Sequence, residues 1–441
     1  MTTDQARLAP AERRALLYGP VYRILGTPVT ALLSLINTAI IIRETGEAVY
    51  GLVALITTIT LLFPFADLGI GATVLSASAQ LTGPNTDPNA ADVIRRAYHV
   101  LCAVAVALIV VALGVMTLDR WASLVGFSSG ADDRWAITVV ACLFALTIPA
   151  GLGVRILIGI DRNPLATLVL MSCPAFSLVL TLLLRLTDAD GIWYAASSLG
   201  GLLLGEIIGT ALALRLSGLG LSAFAPVGPD AIRSALLAGS AWLFVVGVGL
   251  PAGAQTGRVL LAHLSTPGEL SRYAVIAQLY AVCWQVLSTA AFAYWPAFVK
   301  RRLATEETIR MWWRLSCTLG GAALIAAIAL VAFAPWAANV LSGGRIDVSP
   351  WLALAFGAIL VGQAIHLPTF VLLTRPQEAR WQASWTLVMA IVSIGLGYEV
   401  AGRFGAVGVA CAAALGIFAA QVIPDLLWVP RVVRRRPTSD V

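Results

Sequence analysis

Residues 38–75 read TAIIIRETGEAVYGLVALITTITLLFPFADLGIGATVL. An apolar run that begins at Val21 ends at Ile42, the polar residues Arg43 to Glu47 interrupt it, and a second apolar run extends from Val49 to Ser78. A helix needs ~20 apolar residues to cross the hydrocarbon core of a bilayer, and each run is at least that long. In hydrocarbon every backbone group must be satisfied within the structure, which a helix does by itself. The stretch therefore predicts two membrane-spanning helices joined by a tight polar turn. The second run is longer than one straight crossing requires and is expected to tilt or protrude.

The same pattern recurs along the chain. Twelve spans are predicted: Val21–Ile42, Val49–Ser78, Ala97–Leu118, Trp135–Ile158, Leu165–Leu184, Ile192–Leu214, Leu236–Leu261, Tyr273–Val299, Trp312–Phe333, Trp351–Leu373, Trp381–Val400 and Phe404–Trp428. The longest polar connection, Arg215 to Ser234, is too short to hold a soluble domain. Of 441 residues 59% are hydrophobic and 12% charged, about half the charged fraction of a soluble domain; mean hydropathy is +0.87. The fold class is an all-α polytopic membrane protein, which excludes soluble enzymes and nucleic-acid-binding proteins.

An even number of spans puts both termini on one side. With the N-terminus inside, the outer set of basic residues is Arg43, Arg120, Arg134, Arg185, Arg258, Arg272, Arg345 and Arg403, leaving 21 of the 29 Lys and Arg residues on the cytoplasmic side. Basic residues accumulate in cytoplasmic loops, so the expected orientation is N-in and C-in, in the inner (cytoplasmic) membrane. The formal charge of +6 then reports topology, and the tail RVVRRRP is an anchor. The first apolar run exceeds the length of a signal-peptide core and lacks a small-x-small cleavage pattern, so it is read as the first span. The six cysteines lie one per span in six spans, which reads as small apolar filler; no metal spacing and no cofactor motif occurs.

The chain repeats itself. GEAVYGLVAL (46–55) follows the first span and GELSRYAVIAQL (268–279) follows the seventh. Both place Gly-Glu in an outer turn and a Tyr, Tyr50 or Tyr273, as the next helix begins. Six spans return the chain to its starting side, so the halves are parallel repeats, a transporter plan that puts the substrate path between them. The expected division is a first lobe at 1–216, a linker at 217–234 and a second lobe at 235–441. Pro64, Pro149, Pro174, Pro251, Pro368 and Pro424 fall inside spans, where each removes a backbone hydrogen bond and kinks its helix.

Several motifs together resemble the polysaccharide flippases of the multidrug/oligosaccharidyl-lipid/polysaccharide exporter superfamily. These are Arg43, Gly46, Tyr50, Gly51 and Asp67-Leu68-Gly69 in the opening stretch, then TGRVLLAHLSTPGELSRYAV (256–275), WPAFVKRR (295–302) and SGGRIDVSPWLAL (342–354). The order of these motifs carries the resemblance, which spreads over most of the chain. One departure stands out: relatives often carry an acid before the basic residue near the end of helix seven, whereas Gly257 precedes Arg258 here. The resemblance implies two six-helix lobes around a central cavity. It also implies movement of a polyprenyl-diphosphate-linked oligosaccharide from the inner to the outer leaflet.

Such cargo needs cations for the diphosphate and hydrogen-bonding groups for sugar, because unsatisfied polar groups in hydrocarbon cost several kcal/mol each. Arginine suits phosphate through its planar, permanently charged fork. Ionisable residues inside spans are the natural candidates. Arg23 in span one and Arg258 in span seven, with Gln255 one turn before it, are candidate cavity residues, as are Gln278, Gln285, Gln363 and His366. Asp67 and Glu206 are candidates for coupling transport to an ion, a proton or sodium. Arg155 reads as an anchor, Glu399 as solvated, and Trp284, Trp295 and Trp312 as sugar-stacking or interfacial aromatics. Two other readings remain open: a small-molecule exporter of the same fold, and a membrane glycosyltransferase using Asp132-Asp133 or Asp188 and Asp190 in outer loops.

Overall fold

A computed structural model of the chain describes residues 10–58, 70–81, 90–126, 130–225, 253, 255–292, 294, 298, 304–373 and 376–435, with side chains from Gly26 onward except at Ala72, Ser76, Ala131, Phe292, Pro376, Gln377 and Ala379. Helix α1 spans Pro10–Thr57 and bends back on itself at Gly46, whose φ of 77° and ψ of 175° are non-helical. An L side chain rarely adopts that φ, so glycine is what allows the hairpin turn. The two arms of α1 are the first predicted span and the start of the second. The second does not continue as one tilted helix: α1 stops at Thr57 and α2 covers Ile70–Ala79. At the stop, Thr57 and Thr58 turn their hydroxyls back onto the carbonyls of Val53 and Ala54 at 3.0 and 2.7 Å, competing with the helical ladder.

The remaining helices are α3 (Ala90–Thr117), α4 (Trp121–Val125), α5 (Ala131–Ala150), α6 (Leu152–Gly159), α7 (Asn163–Leu186) and α8 (Tyr194–Leu216). After a helical stretch at 255–264 come α9 (Pro267–Phe292), α10 (Thr305–Ser342), α11 (Pro350–Leu372), α12 (Pro376–Ile417) and α13 (Ile423–Arg434). The fourth predicted span divides into α5 and α6 just after Pro149, where the missing N–H breaks the ladder. The eleventh and twelfth join in α12, which turns at Gly405 with φ 54°. There Glu269 of α9 accepts a hydrogen bond from the Ala406 N–H at 2.7 Å, satisfying one of the free donors of the new helical arm. Residues 418–422 form a π-helical turn between α12 and α13. Among the described residues eight helices are long and apolar enough to cross a membrane, the longest, Arg380–Arg434, bending at Gly405. The predicted seventh span lies mostly outside the described residues.

Packing sorts the helices into two lobes. In the first, α7 lies against α8 and α1, α5 against α3 and α8, and α6 against α2 and α8; in the second, α11 lies against α9, α10 and α12. The outer surface is apolar. Helix α3 buries Ile94, Tyr98 and Leu101 and exposes Val106, Val110 and Val111; Ile325, Ile328 and Ile391 are also exposed. A soluble protein does not show so continuous an apolar exterior; facing lipid, it does. Exposed Trp135, Trp336 and Trp351 stand near helix ends, where interfacial tryptophan collects.

Candidate substrate cavity

A cavity of about 240 Å³ opens between the lobes. The first arm of α1 contributes Ser34, Asn37 and Thr38, the second arm Tyr50 and Thr57, α7 Ser177, α8 Ser198 and α9 Gln278. Arg258, from the helical stretch at 255–264, is the one charged residue among the described lining side chains. The wall is thus hydroxyl- and amide-rich, with Ile41, Val53 and Pro174 as apolar patches.

Arg258 is 8% exposed. Its Nη1 donates to the Ala54 carbonyl at 3.2 Å and to the Thr58 hydroxyl. These acceptors sit where α1 ends, so the guanidinium shares the Ala54 carbonyl with the Thr58 hydroxyl at the negative end of the helix dipole. Its Nε has no partner. Tyr50 and Tyr273, the equivalent tyrosines of the two repeats, flank the charge. The glycine before Arg258 also has a structural reason: a Cβ on Gly257 would fall 2.8 Å from both the Tyr273 hydroxyl and Val409. An acidic side chain there would displace the tyrosine.

The structure brings Arg258 and Gln278 together in this cavity, with the half-buried Gln255 one turn before Arg258. Gln363 lies deeper in the second lobe and accepts a hydrogen bond from the Tyr280 hydroxyl. Gln285 is exposed on α9. His366 is buried against Asp425, 2.8 Å from its carboxylate. Glu206 sits in α8 beside Gly151, with Oε2 buried and without a partner, and Arg155 lies within electrostatic reach. Arg23 is in the first arm of α1, its side chain outside the described residues, as is all of Asp67. Trp312 is fully buried and donates to Thr369 at 3.0 Å. Asp132 and Asp133, expected in an outer loop, instead lie in the first turn of α5, where Asp133 accepts from the Gly130 N–H at 3.0 Å and Asp132 from Trp193 at 3.2 Å. Sequence reasoning missed Asn37, Thr38 and Asp425. Asp425 is an acid inside the last predicted span, so the rule that selected Glu206 also selects it.

The predicted outer end of the seam between lobes is closed. Ser271 of α9 donates to the Glu47 carbonyl, and a Cβ on Gly51 would lie 2.5 Å from the Ser271 hydroxyl. Arg272 bridges Glu269 at 2.6 Å and Glu47 at 3.9 Å. Arg43 donates to the Val340 carbonyl in the last turns of α10 at 3.0 Å, and Arg345, just beyond α10, donates to the Arg43 carbonyl at 2.6 Å. Each arginine thus serves carbonyls at the end of the other's helix.

Two helical lobes enclosing a polar cavity define a polytopic membrane transporter, and the whole chain superposes on solved transporters of that kind. An inward-facing multidrug-resistance MATE-family transporter of the MOP superfamily matches with TM-score 0.72 at 14% identity, over 94% of this chain and 99% of that one. An outward-facing counterpart gives 0.65 at 16%, over 98% and 97%. A MOP-superfamily transporter from Pyrococcus furiosus Vc1, described by the reverse polarity of its binding pocket, gives 0.58 at 14%, over 96% and 97%. At these identities the likeness establishes the fold. The chain belongs to the polysaccharide biosynthesis protein family, whose sequence profile matches residues 16–301. No curated protein sequence matches it.

Proposed function

We propose that this protein is a flippase that carries a polyprenyl-diphosphate-linked oligosaccharide from the cytoplasmic to the outer leaflet of the inner membrane, for cell-surface polysaccharide synthesis. The observation that carries the reading is the lone buried guanidinium of Arg258 in a hydroxyl- and amide-lined cavity between the lobes. A diphosphate neutralises that charge through the fork geometry guanidinium offers, sugar hydroxyls match Ser34, Asn37, Thr38 and Gln278, and the prenyl tail stays in lipid between the lobes. A cationic small molecule meets a positive charge with no acidic side chain beside it among the described lining residues, which disfavours it as cargo.

At about 240 Å³ the cavity is smaller than the ~300–1,000 Å³ typical of ligand sites. The conformation is therefore contracted, and a whole glycan enters only when the lobes part. Alternating access moves the first lobe (1–216) against the second (235–441) about the linker at 217–234. Arg23 meets the diphosphate at the cytoplasmic mouth, Gln255, Gln285 and Gln363 give polar contacts in or near the path, and Asp67 and Glu206 carry the coupling ion. The test is reconstitution in liposomes with fluorescently labelled polyprenyl-diphosphate disaccharide in both leaflets. The expected result is protein-dependent transfer between leaflets, read as a rise in the fraction bleached by external dithionite. Transfer of a labelled organic cation, and none of the labelled lipid, contradicts the proposal in favour of a small-molecule exporter.

A further inference from the structure

The second lobe buries a charged group that the cavity does not use. Asp425 of α13 is 1% exposed and His366 of α11 is 6% exposed, with His366 Nδ1 2.8 Å from the Asp425 carboxylate. Thr369, one turn beyond His366, hydrogen bonds to the same carboxylate, and Trp312 of α10 donates to Thr369 Oγ1 at 3.0 Å. The hydrogens of this chain run from Trp312 to Thr369 to Asp425, and from His366 to Asp425. Two donors converge on the carboxylate, an arrangement that an ionised aspartate accepts. His366 then carries a hydrogen on Nδ1, and its Nε2, the remaining place for a proton, is buried with no partner.

Unmade hydrogen bonds gather around the pair. Gln421 lies one turn before Asp425, is 1% exposed, and has neither its amide oxygen nor its nitrogen partnered. Ser316 of α10 is also buried without a partner. It is bracketed by the contacts of Trp312 with Thr369 and of Gly320 with Ile365, which turns it toward the segment that carries His366. The backbone is irregular at the same place, with the π-helical turn at 418–422 followed by Pro424; π-turns inside helices are frequent at functional sites.

Among the described residues the pair has no other charged neighbour. The groups acting on Asp425 are His366 and Thr369. Helix α9 brings Tyr280 and Cys283 to the surrounding cluster and α10 Trp312; Gln421 precedes Asp425 by one turn, and the buried polar groups at the start of α12 include Gln382 and Thr386. On the same elements, Arg431, Arg434 and Glu306 are exposed, and Glu378, at the start of α12, makes an interaction of its own. An ionised Asp425 beside a neutral His366 leaves a bare negative charge in the lobe, a state that costs several kcal/mol.

We infer that His366 and Asp425 form a proton-binding site in the second lobe: Nε2 of His366 takes one proton, and the pair passes from a net charge of −1 to neutral. The neutral pair is the stable state of the closed lobe. Release of the proton follows when movement along the 418–422 turn admits water. The pair titrates as a unit, not as two residues. The inference does not depend on the identity of the cargo.

The test uses the full chain, with ¹⁵N-labelled histidine rings, in lipid nanodiscs. The chain has three histidines; His99 and His263 are exposed, and His366→Asn identifies the third signal. The expected result is that the His366 ring passes from neutral to charged as the pH is lowered. It stays neutral throughout in Asp425→Asn and titrates again in Asp425→Glu. Should Asp425→Asn fail to fold, Thr369→Val keeps both partners and is expected to move the His366 transition while leaving His99 and His263 in place. A His366 ring that never changes charge in the wild type overturns the site, as does one whose transition is the same in all the folded variants. Because no cargo is present, neither result bears on whether the protein is a flippase.

Discussion

Arg258 joins two demands at one atom group. Its guanidinium closes the end of α1 through Ala54 and Thr58 and keeps a buried Nε without a partner. Loss of a hydrogen bond to a charged group costs about 1.5–3 kcal/mol, so Arg258→Ala is expected to slow leaflet transfer by about 10–100-fold in the reconstituted assay, at normal protein levels. Arg258→Lys keeps the charge without the fork and is expected to fall between the two. Equal rates in all three proteins remove Arg258 from the site. Span placement and basic-residue counts singled Arg258 out of the sequence, because it stands on the outer side where arginines are scarce. The structure gives other outer arginines work as well: Arg43 and Arg345 cross the seam, Arg272 bridges Glu47 and Glu269, Arg134 pairs with Asp119, and Arg185 with Glu44. What hydropathy could not supply was partnership. His366 and Gln363 read alike as polar groups three residues apart, yet one meets Asp425 and the other Tyr280.

Helices were legible because ~20-residue apolar runs have few alternatives in a bilayer, and the spans fall on the observed helices within a few residues at α7, α8 and α11. Breaks inside them were less legible. Pro149 announced the division between α5 and α6, but α7 runs on through Pro174, since neighbouring helices can re-satisfy a freed carbonyl. The Gly-Glu turns were visible as a repeat, and the backbone explains half of each: Gly46 supplies a positive φ, and Glu269 caps the arm that starts after Gly405. Placing an L residue at the φ and ψ of Gly46 costs roughly 1–3 kcal/mol. Gly46→Ala is therefore expected to lower the thermal midpoint in detergent, whereas Gly321→Ala, with open space around a helical position, is expected to hold or raise it. Equal midpoints for the two variants would remove the role assigned to Gly46.

At the scale of the molecule, two lobes meet over α1 and α9, closed at the predicted outer end by the paired turns at Glu47 and Ser271 and by the reciprocal arginines. The contacts are mostly single hydrogen bonds and exposed or half-buried ion pairs, each worth little alone. A seam of that kind holds a state and still opens. Transport by such a molecule requires that the cavity face one side at a time, and sequence could supply the two halves but not the contacts that close them, which lie more than 200 residues apart. Mass spectrometry of polyprenyl-linked intermediates in cells lacking the protein distinguishes a lipid-linked glycan cargo from any other. A completed oligosaccharide unit is expected to accumulate on its diphosphate carrier, relieved by the wild-type chain and not by Arg258→Ala. An unchanged lipid pool, or accumulation of a truncated unit, contradicts it.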